Sequence, residues 1–109
     1  MKLPNAENAR VDRDKVIGYL LNRAHPDGAG KAAFFERFGF STEKWQLLAD
    51  ALRQHGQHPV VNSVESEYGI RYTVDGEIET PDGRRPTVRS VWIVEQGGKR
   101  PRLVTAHPL

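Results

Sequence analysis

Two histidines, a lysine and a threonine are the side chains of this sequence best suited to acid–base chemistry on a phosphate. His25 and Lys31 are the first and last residues of the glycine-containing segment HPDGAGK, and Thr105 and His107 stand two residues apart near the C-terminus. Imidazole exchanges protons near neutral pH, an ammonium group carries a fixed positive charge, and a hydroxyl donates hydrogen bonds. The candidate catalytic residues are therefore His25, Lys31, Thr105 and His107.

The His25–Lys31 segment and the Thr105–His107 pair each also have a purely structural interpretation. HPDGAGK can be a flexible joint with a solvated lysine, and it lacks the GxxxxGK[ST] spacing of a P-loop. An exposed histidine near a C-terminus is more often inert. Glycines at the first turn of a helix nevertheless leave backbone N–H groups unobstructed, and such donors beside Lys31 predict an anion site.

A second set of residues is suited to holding a nucleic acid. Arg71 and Tyr72 lie on one predicted strand and Trp92 on the next, so a base could stack on an aromatic ring while the guanidinium contacts a phosphate. Core packing explains Trp92 equally well. We predict substrate-binding roles for Arg71, Tyr72, Arg89 and Trp92.

Arg89 belongs to a basic block at the C-terminal end of the chain. Residues 83–109 contain six lysines and arginines against one acidic residue, whereas residues 1–82 contain 10 against 13. This distribution is compatible with contact to phosphate or nucleic acid, although the net charge of the chain is only +2. The alternative is that these are solubilising residues on two turns and an edge strand.

Metal chemistry and export are not expected. The chain has no cysteine, which excludes disulfides and thiolate sites and fits a reducing cytoplasm. His55 and His58 have no nearby carboxylate pair, so we interpret them as solvated histidines at the end of a helix. The charged opening MKLPNAENARVDRD is unlike a signal peptide, and no apolar run reaches membrane-spanning length. We predict a cytoplasmic protein with no metal, no cofactor and no membrane contact.

The elements that must position these side chains are three helices followed by a sheet. Helix N-terminal caps are predicted at Asp12, Asp27 and Ser41, and helix ends at His25-Pro26, Gly39 and Gly56. After Pro59 the apolar periodicity changes toward that of strands, at residues 60–67, 70–74, 88–94 and 103–106. Period 2 places Leu103, Thr105 and His107 on one face of the last strand.

We predict a single α+β domain over residues 1–109. It has an extended lead-in (1–11), a helical half (12–56) and an antiparallel meander (59–108) with the helices on one face. The meander has four strands if Asp75-Gly76 is a bulge, which we favour, and five if it is a turn. The face without helices is expected to carry the site.

Six segments of the chain resemble an uncharacterised family of small bacterial proteins, of the domain-of-unknown-function kind. These segments are LPNAENA, GYLLNRAHPDGAGKAAFFERFGF, YGIRYTV, PDGRRP, VRSVWIV and RLVTAHPL. The order of helices and strands also resembles, at motif level, the barnase/EndoU/colicin/RelE-like toxin ribonucleases. That second resemblance implies a metal-independent RNA cleavage site with His25, Lys31 and the Thr105 hydroxyl. A TAYP ending is expected where this chain has Thr105-Ala106-His107-Pro108, so His107 is either a second acid–base group or not catalytic.

Three functions remain open from the sequence. The leading hypothesis is an RNase-like, toxin-type phosphoryl-transfer domain or a relative that has lost activity, with RNA as its partner. The alternative is a noncatalytic protein-interaction module that binds a small protein encoded beside it. The third is a domain that binds nucleic acid without cleaving it.

Overall fold

The first half of the chain builds a helical layer and the second half builds a sheet. The computed structural model describes the whole sequence, Met1–Leu109. The helical elements are a 3-10 turn (Ala6–Asn8), α1 (Arg13–Lys15) with a π-helical turn directly after it (Val16–Leu20), α2 (Ala29–Arg37) and α3 (Trp45–His55). The strands are β1 (Val60–Ser66), β2 (Gly69–Glu77), β3 (Thr87–Glu95) and β4 (Arg102–Pro108). They form one antiparallel sheet in the order β1-β2-β3-β4, which confirms the predicted α+β meander.

The first helical segment is shorter than predicted and ends at Leu20 rather than at His25. The side chain of Asn22 causes the early stop, because its amide donates to the Gly18 carbonyl and its oxygen accepts the N–H of Ala24. An asparagine that bonds to nearby backbone in this way competes with the helical hydrogen bonds. The last turn is closed by a π-type bond from the N–H of Leu21 to the carbonyl of Val16, at 2.8 Å.

The other two helices also start differently from the prediction. α2 is preceded by Gly28 and α3 by Lys44, and neither of these two residues makes a side-chain capping bond. The caps predicted at Asp27 and Ser41 are therefore wrong. The end of α2 is as predicted, because Gly39 has a φ of 102° and the N–H of Phe40 reaches back to the Phe35 carbonyl.

One face of the sheet, which we call the core face, packs against the helices. Alternation along β3 defines it, since Val88, Ser90 and Trp92 are fully buried while Arg89 and Val91 between them are not. Side chains from the helices complete the core; among them are Val16, Leu20, Phe35, Leu48 and Leu52. The opposite face carries the less buried side chains of β3, Arg89 and Val91 among them, and we call it the open face.

A bulge in β4 changes which of its residues point to which face. Val91 pairs with Thr105, but Trp92 pairs with Leu103, so Val104 is an extra residue on β4. Leu103 is consequently buried on the core face, whereas the partners of Val91 and Arg89, which are Thr105 and His107, lie on the open face. The prediction that Leu103 shares a face with Thr105 and His107 is wrong, because a bulge interrupts the period of two.

The two edges of the sheet are covered to different extents. At β4 the lead-in adds a short parallel bridge, in which the N–H groups of Arg10 and Leu103 bond to the carbonyls of Pro101 and Arg10. At β1 the one such contact is from the N–H of Val60 to the Met1 carbonyl.

β2 runs through Asp75-Gly76 in unbroken register with β3, so neither the predicted bulge nor a fifth strand is present. None of the helices has both the length and the apolar composition needed to cross a bilayer.

Candidate functional site

Tyr19 is the residue around which three of the four candidate catalytic residues gather. Its hydroxyl lies 2.9 Å from Oγ1 of Thr105. The imidazole of His25 stands edge-on to its ring, with the ring centroids 4.9 Å apart. The ammonium group of Lys31 lies 5.3 Å from the ring centroid, within the range of a cation–π contact. Residues 25–31, which lead from the first helical segment into α2, therefore meet the last strand at Tyr19.

His25 caps the start of α2 with one of its two ring nitrogens. Nδ1 accepts the N–H groups of Asp27, at 3.0 Å, and of Gly28, at 3.2 Å. These two N–H groups are therefore not available to an anion. Because Nδ1 accepts, the proton of the neutral ring is on Nε2. Nε2 makes no hydrogen bond within the chain and can donate one to a ligand.

Two lysines flank the Tyr19 ring. Lys31 also donates to the carbonyl of Asp27 at 2.9 Å, which fixes the stem of its side chain beside the ring. Lys15, one helical turn before Tyr19, has its ammonium group 5.2 Å from the same centroid. Neither lysine forms an ion pair with a carboxylate, so both keep their charge available to an anion.

His107 stands on the open face in a row of three polar side chains. Asp75 pairs across the sheet with Arg89, and Arg89 pairs with His107. Arg89 donates to Asp75 from two nitrogens, at 2.8 and 2.9 Å. This bidentate bond holds the pKa of Asp75 below, and that of Arg89 above, its ordinary value. The guanidinium beside His107 is thus held in one orientation.

The tautomer of His107 is the opposite of that of His25. Its Nδ1 lies 3.0 Å from the carbonyl oxygen of Pro108. A carbonyl oxygen accepts hydrogen bonds, so Nδ1 carries the proton and Nε2 of the neutral ring has a free lone pair. His107 can therefore accept a proton at Nε2, the same ring atom from which His25 can donate a hydrogen bond.

Arg71 lies on the open face but outside the group around Tyr19. It pairs with Ile93 of β3, and Ile93 pairs with Arg102 of β4. Two strand spacings, about 10 Å, separate β2 from β4. Arg71 is exposed and makes no ion pair, whereas Arg102 bonds to Glu95 at 3.1 Å. Arg71 is therefore placed to contact a phosphate on its own part of the open face, but not the group at Thr105.

The predicted substrate-binding roles of Tyr72 and Trp92 conflict with their burial. The two residues pair with each other on the core face, where they are 5% and 0% exposed. Arg71 and Trp92 therefore point to opposite faces and cannot share a surface. The Trp92 indole donates to Oγ of Ser90 at 2.8 Å, which satisfies its polar atom inside the core.

The prediction of solvated helix-end histidines is wrong for His55. This residue is 1% exposed. Its Nδ1 lies 2.8 Å from Oγ of Ser90, and its Nε2 donates to the carbonyl of Val88 at 3.0 Å. Burial lowers the pKa of His55 below its ordinary value. His58 is partly buried and donates to the Glu77 carbonyl at 2.9 Å.

Sequence reasoning missed Tyr19, Lys15 and Asp75. Tyr19 sits within an apolar stripe and looks like a core residue. The spacing of Lys15 and Tyr19 at i, i+4 was the one signal available for their contact. Asp75 stood in an Asp-Gly pair that suggested a bulge or a turn. Its ion pair with Arg89 depends on the strand register, which the sequence leaves open.

Comparison with known proteins gives a family and a shared fold. A family model described as "Domain of unknown function (DUF6883)" matches residues 2–109. No curated protein matches the chain. A chain in a solved structure described as a contact-dependent growth inhibition toxin–immunity protein complex from Klebsiella pneumoniae 342 is similar to it, with a TM-score of 0.75 and 22% identity. The match covers 94% of this chain and 95% of the other, so nearly all of the fold is common to both.

Proposed function

Because this chain belongs to the DUF6883 family of domains of unknown function, we propose a function from its own side chains: it is a toxin-type domain that cleaves RNA without a metal. The observation that carries the proposal is the position of Thr105. It is linked to two histidines of opposite tautomer: His107 lies two residues along the same face, and His25 contacts Tyr19, the hydrogen-bond partner of Thr105. The likeness in fold to a chain of a toxin–immunity protein complex supports a toxin-associated role.

His107 is the proton acceptor of the proposed reaction. Its neutral Nε2 takes the proton of a ribose 2′-OH, and the 2′ oxygen forms a bond to phosphorus while the bond from phosphorus to the 5′ oxygen breaks. The products are a 2′,3′-cyclic phosphate and a 5′-hydroxyl. Two residues along a strand span about 6.6 Å, which leaves room for a phosphate between Thr105 and His107. General base catalysis of this kind contributes about 10²–10⁴-fold.

Positive groups beside the two histidines bind the phosphate oxygens. Arg89 is next to His107 and is held by Asp75, and Lys31 is next to Tyr19. His25 donates from Nε2. Such donors stabilise the charge that grows on the phosphate during the reaction, and removing one typically costs about 10²–10³-fold in rate. Arg71, farther along the open face, binds the phosphate of a neighbouring nucleotide.

The experiment is RNA cleavage by purified protein in the presence of EDTA. We expect the wild type to cleave RNA and both His25→Ala and Lys31→Ala to cleave it far more slowly. Lys44→Ala is the matched control for lysine removal, since Lys44 is exposed and precedes α3, away from Tyr19. Equal and negligible cleavage by all four proteins would remove the enzymatic function. RNA binding that weakens steeply with salt, without cleavage, would leave a nucleic-acid-binding domain.

A second candidate function is a protein-interaction module, and the uncovered edge at β1 favours it. All of β1 after Val60 is exposed, including Val61 and Val64. A bare edge strand presents unpaired backbone groups to which a partner strand can add. The segment 60–67 contains two glutamates and no basic residue, so this edge is not suited to RNA.

Co-expression with the protein encoded by the adjacent gene tests this second function. A partner at β1 predicts co-purification that is lost in a Val61→Asp, Val64→Asp double variant and kept in Leu47→Asp. Leu47 is a similarly exposed apolar residue on α3. Co-purification that both variants retain would exclude the β1 edge as the binding surface.

A further inference from the structure

The proposed reaction needs a second proton, which must reach the 5′ oxygen as it leaves. Neither histidine is arranged to supply it. His107 accepts a proton at the start of the reaction, and the doubly protonated form of His25 would lose the two backbone hydrogen bonds that its Nδ1 accepts. The donor must therefore be another group close to Thr105.

We infer that the hydroxyl pair Tyr19–Thr105 is this proton donor. The inference rests on the proposed RNA cleavage. The two oxygens are 2.9 Å apart, a distance at which a proton passes directly from one hydroxyl to the other. Thr105 lies on the open face two residues from His107. The proton donor and the proton acceptor therefore stand on either side of the space for the phosphate, as in-line displacement requires.

The transfer balances without any other reactant. As the bond from phosphorus to the 5′ oxygen breaks, Oγ1 of Thr105 gives its proton to that oxygen and takes the proton of the Tyr19 hydroxyl. Tyr19 is left as a phenolate and His107 as an imidazolium. Transfer of one proton from His107 back to Tyr19 through solvent restores the starting state.

The surroundings of Tyr19 suit a transient negative charge. The ammonium groups of Lys15 and Lys31 lie 5.2 and 5.3 Å from its ring centroid, and neither is neutralised by a carboxylate. Two positive charges at this distance stabilise a phenolate in a partly buried position more than they would in water. This contact gives Lys15, which the proposed cleavage does not otherwise use, a role in the reaction.

The backbone holds Tyr19 firmly at this position. It lies in the π-helical turn Val16–Leu20, and single π turns are frequent at functional sites. Gly28 packs against it so closely that a Cβ there would come within 2.2 Å of the Tyr19 carbonyl oxygen. The joint between the first helix and α2 thus fixes the tyrosine in place.

The test uses Tyr19→Phe and two forms of one RNA. The first form is the natural substrate, and the second has sulfur in place of the 5′ oxygen at the cleaved bond. Sulfur leaves as a thiolate and needs no proton. We expect Tyr19→Phe to cleave the natural RNA about 10²-fold more slowly than the wild type, and to cleave the sulfur-containing RNA within a few-fold of the wild-type rate. A residue with a purely structural role would impair both reactions equally.

Tyr68→Phe is the matched control, since Tyr68 is 72% exposed and its hydroxyl makes no hydrogen bond within the chain. It is expected to cleave both substrates like the wild type. Tyr19→Phe cleaving the natural RNA at the wild-type rate would overturn the inference, and so would an equal loss on both substrates. A wild type that cleaves neither RNA would instead overturn the proposed function itself, so the two failures are distinct.

Discussion

The hydroxyl of Tyr19 and Oγ1 of Thr105 are hydrogen-bonded at 2.9 Å although 86 residues separate them in the sequence. This bond joins the first helical segment to the last strand. It also brings the open face of the sheet, with His107 and Arg89, next to the joint that holds His25 and Lys31. The candidate site is thus built from both halves of the chain.

Replacement of His107 should abolish most of the RNA cleavage. His107→Ala removes the lone pair of Nε2 that accepts the 2′-OH proton, so we expect a loss of about 10²–10⁴-fold in kcat. His58→Gln is the control, because glutamine keeps a donor for the Glu77 carbonyl to which His58 bonds. Single-turnover cleavage of a labelled RNA measures both. A His107→Ala protein as active as His58→Gln would remove His107 from the reaction.

Gly28→Ala should destabilise the joint, whereas Gly30→Ala should not. A Cβ at Gly28 meets backbone and ring atoms of Tyr19, while one at Gly30 meets no atom within 4 Å. We expect the free energy of unfolding to fall by about 1–3 kcal/mol for Gly28→Ala. For Gly30→Ala, within α2, it should rise by about 0.5–1 kcal/mol. Urea denaturation measures both changes, and equal effects would contradict the close packing at Tyr19.

Asp75→Asn should weaken catalysis by releasing Arg89. The carboxylate holds the guanidinium through two hydrogen bonds, and an amide accepts through one oxygen only. We expect a fall in the rate of cleavage of about tenfold or more with a small change in the RNA dissociation constant, because Arg89 keeps its charge but loses its orientation. Asp50→Asn is the control, since Asp50 forms a similar but exposed ion pair with Arg53 on α3. A loss of binding equal to the loss of rate would contradict an orienting role.

Stability should decrease below about pH 6.5 because of His55. Burial lowers the folded-state pKa of this histidine below the ordinary value of 6.5. Between those two pKa values the unfolded chain binds more protons than the folded chain, so the free energy of unfolding falls as the pH falls. The contribution of neutral His55 to the free energy of unfolding is fully present above pH 6.5. Guanidinium denaturation from pH 8 to pH 5 measures the slope.

His55→Gln is the variant that isolates this effect. Glutamine does not titrate and can still donate to the Val88 carbonyl, which His55 does from Nε2. We expect a less stable protein at pH 8 but a shallower fall in stability between pH 6.5 and pH 5. Parallel curves for the two proteins would show that another group causes the acid sensitivity.

The order of the elements and the end of α2 were predicted correctly from local sequence, whereas the helix caps at Asp27 and Ser41 were not. The helices-then-meander order follows from periodicity and from turn residues, which act over a few positions. The left-handed glycine at Gly39 also follows from local chemistry. Asn22 shows the limit of this reasoning, because its side chain ends the first helical segment at Leu20, six residues before the proline that was expected to do so.

Features that depend on register were not predictable from one sequence. The bulge at Val104 separates Leu103 from Thr105 and sends them to opposite faces, and no residue type in β4 signals it. Trp92 lies in a run of apolar residues, so the pattern could not decide between the core and the surface. His55 was judged by its position at a helix end, whereas its burial depends on Ser90, 35 residues away.

The most direct test of the account is the treatment of one RNA and its 2′-O-methyl counterpart with wild-type protein in EDTA. The account predicts that the RNA is cut to fragments ending in a 2′,3′-cyclic phosphate, that the 2′-O-methyl strand stays intact, and that His107→Ala cuts the RNA far more slowly than the wild type does. RNA that stays intact with the wild type, or cleavage of both strands, would contradict it.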